Sequence, residues 1–250
     1  MHKAFSVAEV LRQQKRTFDN VGRFERLFGH PERSGVWFIW GQSGNGKSSF
    51  VMQLCKALLH RDNRATLLYN SLEESTSKTF QDSLIRHGMS EVTGFQVLQP
   101  EYLEQLTERL RQPRSPSIIV IDSIQHFMIT YREYVMLKEL FPQKLFIFIS
   151  QADGKNPSGK AAKAVMYDAT LKIWVEGYRA FSKGRFFGPD PNDSTFTIWE
   201  ERASVYWGST STNNTKTTET CNSNQDQTSS DQSTSLSSTS SHDRHVQEEL

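Results

Sequence analysis

Residues 41 to 48 read Gly41-Gln42-Ser43-Gly44-Asn45-Gly46-Lys47-Ser48, the spacing G-x-x-x-x-G-K-[ST]. The chemistry such a segment can do is the binding of a polyphosphate. Its glycines let backbone N–H groups turn inward around phosphate oxygens, and a helix starting at its end adds a positive pole. Lys47 is then placed to reach the terminal phosphate oxygens, and the Ser48 hydroxyl to ligate Mg²⁺. Ser49 follows directly, so residues 41–49 form the candidate nucleotide cradle. A second group is needed on the metal side. Ser117-Ile118-Ile119-Val120-Ile121-Asp122 is an apolar run ending in a carboxylate, which makes Asp122 the candidate for the Mg²⁺ shell, although an Asp there would also cap a following helix.

A phosphate cradle works only between a strand and a helix. Val36-Trp37-Phe38-Ile39-Trp40 precedes it as a short apolar run, and a segment near 47–60 follows with helical periodicity. Further apolar runs at 65–71, 95–98, 117–123, 144–151 and 170–177 alternate with amphipathic segments near 76–88, 101–111 and 132–141. That rhythm predicts an α/β fold with a mostly parallel central sheet covered by helices on both faces. Two more strand-like runs, 178–187 and 196–201, flank Gly188-Pro189-Asp190-Pro191-Asn192-Asp193 and predict a C-terminal β-hairpin at the sheet edge. The domain is expected over 35–207. A short helical extension is expected over 1–34, and a disordered tail over 208–250, where Ser and Thr dominate and aliphatics are nearly absent.

These residues together resemble the RecA-like P-loop ATPase superfamily, in particular RadA-type recombination ATPases and the ATPase core of DnaB-type helicases. The resemblance covers about residues 35–200. It implies a hydrolase with ATP and Mg²⁺ as cofactors. It implies Glu73, in Leu67-Leu68-Tyr69-Asn70-Ser71-Leu72-Glu73-Glu74-Ser75, as the general base on the attacking water. Glu74 is the neighbouring alternative, and two acids at a helix start also favour its dipole. It implies Gln151, closing Phe146-Ile147-Phe148-Ile149-Ser150-Gln151, as the sensor of the γ-phosphate. The segment 152–168 corresponds to a mobile DNA-binding loop, so Lys155, Lys160 and Lys163 become candidates for contacts to single-stranded DNA. The segment 125–131 corresponds to a second such loop. Ser182-Lys183-Gly184-Arg185-Phe186-Phe187-Gly188 is similar to a Lys-x-Arg finger, with Gly between the cations and Phe187 extra. Lys183 and Arg185 would then enter a neighbour's site in a homo-oligomeric ring or filament. DNA repair, recombination or replication is the implied context. A KaiC-like regulatory ATPase that acts on protein is the alternative, and a small-molecule kinase is a more distant one.

Composition sets the outer bounds. A formal net charge of +1 gives no global field for nucleic acid, so any such footprint has to be local. Cys55 and Cys221 are the two cysteines, too few for a disulfide framework or a four-cysteine zinc site, and fit a reducing compartment. No window reaches the roughly 18 apolar residues of a membrane span, and Met1 to Val10 lacks a signal-peptide run. A cytoplasmic location without membrane contact is expected.

Overall fold

The computed structural model describes residues 4–19, 21–60 and 65–208, so the expected tail lies, apart from Gly208, outside the described residues. The apolar runs form one sheet from β1 (Gly35–Gly41), β2 (Leu67–Ser71), β3 (Phe95–Leu98), β4 (Ile118–Asp122), β5 (Leu145–Asp153), β6 (Asn156–Pro157), β7 (Leu171–Glu176), β8 (Arg179–Ser182) and β9 (Thr195–Thr197). The strand order is β3-β2-β4-β5-β1-β7-β8-β9, with β6 paired only to β5. Strands β3 through β7 along this path pair in parallel, and β8 and β9 close the edge antiparallel. This is the expected α/β architecture with a mostly parallel central sheet, in which β5 separates β1, which leads into the 41–48 segment, from β4, which ends in Asp122.

Because the central strands are buried on both faces, their side chains alternate between two cores. Trp37, Ile39, Val120, Ile147, Ile173 and Val175 belong to one, shared with the helix α3 (Lys47–His60). Phe38, Trp40, Ile119, Ile121, Phe148 and Trp174 belong to the other. The predicted helices appear with ends within two residues of those expected as α4 (Lys78–Arg86), α5 (Leu103–Arg111) and α7 (Tyr131–Leu140). Ser77 caps α4 by accepting from Phe80 N–H, and Thr130 with Glu133 forms a reciprocal capping box on α7.

Four expectations need correction. The N-terminal extension is only partly an extension: α1 (Val7–Arg12) buries nothing, but Phe18, Val21, Phe24, Leu27 and Phe28 lie in the core, the last two on α2 (Glu25–Phe28). Aromatic content decides this, since Phe24 stacks on Phe196 at 4.4 Å between ring centres. The expected loop 152–168 is ordered as the β5–β6 turn and the helix α8 (Lys160–Asp168), because Lys-Ala-Ala-Lys-Ala-Val is a strong helix former and Ala162 and Val165 find the core. The segment 125–131 begins inside a short helix α6 (Ile124–Phe127), with Phe127 and Ile129 buried and Met128 and Tyr131 exposed. Finally, the run 196–201 stays extended only to Thr197 and becomes the helix α9 (Glu200–Trp207), while β8 stops at Ser182.

Candidate nucleotide site

In a parallel sheet, all strands present their C-terminal ends on one edge, where ligands of open α/β sheets bind. Gly41, Asp122 and Gln151 leave β1, β4 and β5 there, and Glu73 follows β2 in a turn whose Leu72 and Glu73 N–H groups donate to the Asp122 carbonyl at 2.8 and 3.1 Å. The result is a cavity of about 420 Å³ lined by the 43–49 loop, Glu73, Glu74, Asp122 and Gln151. Lys47 and Ser48, the first residues of α3, place its N-terminus against this space.

The cradle residues show why their types are required. Gly44 and Gly46 have φ of +77° and +93°, conformations that suit glycine. Gly41 passes so close to β7 that an added Cβ would stand 2.1 Å from the Val175 carbonyl oxygen. Asn45 is a tether as well as a cradle residue: its Oδ1 accepts from Gly177 N–H at 2.7 Å, and its carbonyl from Tyr178 N–H at 3.2 Å. Gln42 supplies the carbonyl to which Lys47 Nζ donates at 2.9 Å. Burial lowers the Lys47 pKa, opposed by the nearby Asp122 and Glu73.

Asp122 is buried deeply enough to raise its pKa to about 6. Tyr69, which donates to its Oδ2, works against that shift, Glu73 and Glu74 add to it, and Lys47 opposes it. A desolvated carboxylate beside a serine hydroxyl, Ser48, is a donor set that suits a hard oxygen-seeking cation. Among the described residues no three His, Cys, Asp or Glu side chains cluster for a metal, so Mg²⁺ here would rely on Ser48, Asp122 and phosphate oxygens.

Glu73 and Glu74 have different surroundings. Glu74 accepts from Thr79 Oγ1 at 2.8 Å and from Ser77 Oγ at 3.5 Å, which ties it to the start of α4. Glu73 instead faces Gln151 Nε2 at 3.5 Å and His126 Nδ1 at 3.8 Å. His126 is in turn bonded to Ser123 Oγ at 2.9 Å, and Gln125 Oε1 accepts from Gln151 N–H at 3.2 Å. Glu73 and Gln151 thus lie within reach of each other, and Gln125 and His126, expected in a nucleic-acid loop, lie beside them.

The far wall was not anticipated. Tyr178, Trp199 and Arg202 line the cavity, with Arg202 Cζ 4.4 Å from the Trp199 ring centre and 5.3 Å from that of Tyr178. Arg202 also donates to the Tyr178 hydroxyl at 2.8 Å. Gly177 and Tyr178 both have positive φ, 51° and 59°, and form the two-residue turn between β7 and β8 that right-twisted strands require. The Gly-Tyr pair between two strand-like runs was the available signal. Arg86, from the last turn of α4, completes the lining.

Lys183 and Arg185 do not join this cavity. β8 ends at Ser182, and Lys183 N–H instead donates to the Lys172 carbonyl at 2.8 Å, so the two cations do not share the face of an extended strand. Lys183 lines a cleft with Trp174 and Trp207, and Arg185 another with Gly35 and Asp168. Of the three loop lysines, Lys155 lines the first of these clefts, while Lys160 and Lys163 sit on α8 outside it.

No protein-family model and no curated protein matches the chain. Among solved structures it is similar to the flagellar accessory protein FlaH from Methanocaldococcus jannaschii, at 16% identity and a TM-score of 0.49, over 71% of this chain and 90% of that one. It is also similar to the ATP synthase subunit NeqB from Nanoarchaeum equitans, at 8% identity and a TM-score of 0.48, over 64% of this chain and 50% of that one. The chemistry has to be read from this chain's own residues.

Proposed function

We infer that this chain binds Mg²⁺ and ATP and hydrolyses the terminal phosphate. The observation that carries the reading is one cavity in which Lys47, Ser48, Asp122, Glu73 and Gln151 converge from four parallel strands and their following turns. The bound metal would neutralise phosphate oxygens as a Lewis acid, held by the Ser48 hydroxyl and the Asp122 carboxylate. The 43–49 backbone and the α3 N-terminus bind the phosphates. Lys47 adds a cation already stripped of part of its hydration, which strengthens its pull on developing charge. Glu73, free of the contacts that engage Glu74, holds the attacking water and takes its proton at a carboxylate oxygen. Gln151 keeps that carboxylate oriented. The base is seated by Tyr178, Trp199 and Arg202, a stacking wall with a cation behind it.

The decisive experiment is ATP turnover and fluorescent-nucleotide binding on the full chain and two variants. Lys47→Ala should lose turnover and most nucleotide binding. Glu73→Gln should bind ATP and turn it over about a hundredfold or more slowly. Normal turnover in Glu73→Gln together with loss in Glu74→Gln would move the base by one residue; normal turnover in Lys47→Ala would remove the reading. Single-stranded DNA as the partner that ATP turnover serves, with Lys155 as the candidate contact, is part of the same proposal and is measured as stimulation of turnover by single-stranded DNA.

A further inference from the structure

A second cleft, of about 540 Å³, opens beside β7 and α9. Its walls are Trp40, Trp174, Trp207, Tyr167 and Phe181, and its cations are Lys155, Lys172 and Lys183. Each indole N–H is already used: Trp40 donates to the Lys155 carbonyl at 3.0 Å, Trp174 to Glu176 Oε2 at 3.1 Å, and Trp207 to the Gly177 carbonyl at 3.0 Å. Trp40 and Trp174 pack on each other at 5.6 Å and Arg179 Cζ lies 5.6 Å from the Trp207 ring centre, so what the aromatics offer a ligand is the Tyr167 ring and the side of Trp207 away from Arg179. Tyr167 and Trp207 are 74% and 41% exposed, unusual for such side chains without a partner.

Lys172 Nζ donates to the Tyr167 carbonyl at 3.0 Å, and Lys183 Nζ lies 5.9 Å from the Phe181 ring centre. Among the described residues none of the three forms an ion pair within 4.0 Å. Glu176, the carboxylate in the cleft, is engaged by Trp174 and, at 3.4 Å, by the Tyr206 hydroxyl. Lys172 is further destabilised as a cation, by burial first and then by Arg185, with Asp168 opposing. The local charge agrees: from residue 151 to 186, seven Lys or Arg stand against Asp153, Asp168 and Glu176, a local +4 in a chain whose total is +1. Aromatic faces interleaved with unpaired cations suit a planar ring carrying a phosphate.

We propose that this cleft binds a nucleotide unit, its base stacked on Trp207 and Tyr167 and its phosphate held by Lys155, Lys172 and Lys183, at a site separate from the 41–49 cradle. The site is wired to that cradle. One turn links them, since Trp207 holds the Gly177 carbonyl while Asn45 holds the Gly177 N–H. The proposal does not need the hydrolytic reading to be correct. The nucleotide unit belongs either to a free mononucleotide or to single-stranded nucleic acid.

The test is tryptophan fluorescence of the full chain titrated with 5′-phosphorylated (dT)8, thymidine monophosphate and inorganic polyphosphate, at several salt concentrations. Binding of (dT)8 with salt-weakened affinity, far tighter than that of the monophosphate, supports the proposal with a single strand as the source. Equal affinity per site for both supports it with a free nucleotide as the source. Lys183→Glu and Tyr167→Ser should each weaken the bound form about tenfold or more, with fluorescent-ATP binding unchanged, and Lys47→Ala should leave (dT)8 binding intact. Unchanged (dT)8 binding in both cleft variants would overturn the proposal, as would polyphosphate binding to the Lys47→Ala chain, whose phosphate cradle is disabled, as tightly as (dT)8. So would the absence of any binding by the thymidine ligands. Loss of ATP turnover with intact (dT)8 binding would strike only the hydrolytic reading.

Discussion

At the scale of single residues, most of the phosphate chemistry is carried by types at fixed spacing, while the rest of the site is carried by contacts across long sequence separations. Gly44, Gly46, Lys47 and Ser48 act within one turn, so a local pattern identifies them. Tyr178, Trp199 and Arg202 reach the cavity only because β7, β8 and α9 fold back on the cradle, and no local pattern encodes that. Their role makes a kinetic prediction. Base stacking on an aromatic side chain contributes about 1–3 kcal/mol, and it is made equally with substrate and transition state. Tyr178→Ala and Arg202→Ala should thus raise KM for ATP about tenfold while leaving kcat within a fewfold range. Steady-state kinetics with ATP checks this; a fall in kcat at unchanged KM would assign these residues to the transition state instead.

At the scale of elements, strand positions were readable because apolar runs of four to eight residues, too short for most helices, alternate with amphipathic segments in the rhythm of a doubly covered sheet. What escaped was the fate of segments whose polarity hides a helix. Residues 160–168 look like a cationic loop because Lys160 and Lys163 are conspicuous, yet their alanines, Val165 and Asp168 decide the outcome. Asp168 anchors α8 to α7: its carboxylate accepts from Lys138 Nζ at 2.6 Å and from the Tyr134 hydroxyl. Partial burial would raise the Asp168 pKa, but these two hydrogen bonds and the charge of Lys138 lower it overall. A depressed carboxylate pKa stabilises the fold above its unfolded value, and that contribution is lost as pH falls through the folded value. Asp168→Asn should therefore cost about 1–2 kcal/mol near neutral pH, with the difference from the unmodified chain shrinking below about pH 4. Thermal melts of both chains across pH measure it; a difference independent of pH would show that the side-chain shape, and not its charge, holds α8. A backbone test belongs to this scale too. Gly188 has no room for a side chain, since an added Cβ would stand 1.8 Å from the Arg26 carbonyl oxygen. Gly188→Ala should destabilise by several kcal/mol by forcing apart the 183–194 excursion and α2, whereas Gly154→Ala, which meets nothing within 4 Å, should cost only its strained φ.

At the scale of the whole molecule, the question is whether catalysis needs a second subunit. The resemblance of 182–188 to a Lys-x-Arg finger implies that Lys183 and Arg185 act in trans. The structure supplies cations within the same chain: Arg86 and Arg202 line the cavity. Arg185 lies with Gly35 at the other end of β1, six residues and so about 20 Å along the strand from Gly41. With Arg202 engaged by Tyr178 and Trp199, Arg86 at the end of α4 is the candidate to meet charge on a terminal phosphate in the proposed hydrolysis. Removal of one such preorganised group costs about 10²- to 10³-fold in kcat. Arg86→Ala should accordingly lose at least about a hundredfold in turnover with nucleotide binding retained, and Arg185→Ala should turn over within about twofold of the unmodified chain. Turnover per chain should also hold constant over about a hundredfold dilution, because mass action would dismantle a site shared between subunits. Mixing separates the two arrangements. If the arginine acts in cis, combining Lys47→Ala chains with Arg86→Ala chains regains no activity, since each assembly still lacks one intact site. If Lys47→Ala and Arg185→Ala chains instead restore activity that neither shows alone, the cation crosses between subunits and the arrangement within one chain is not the working one.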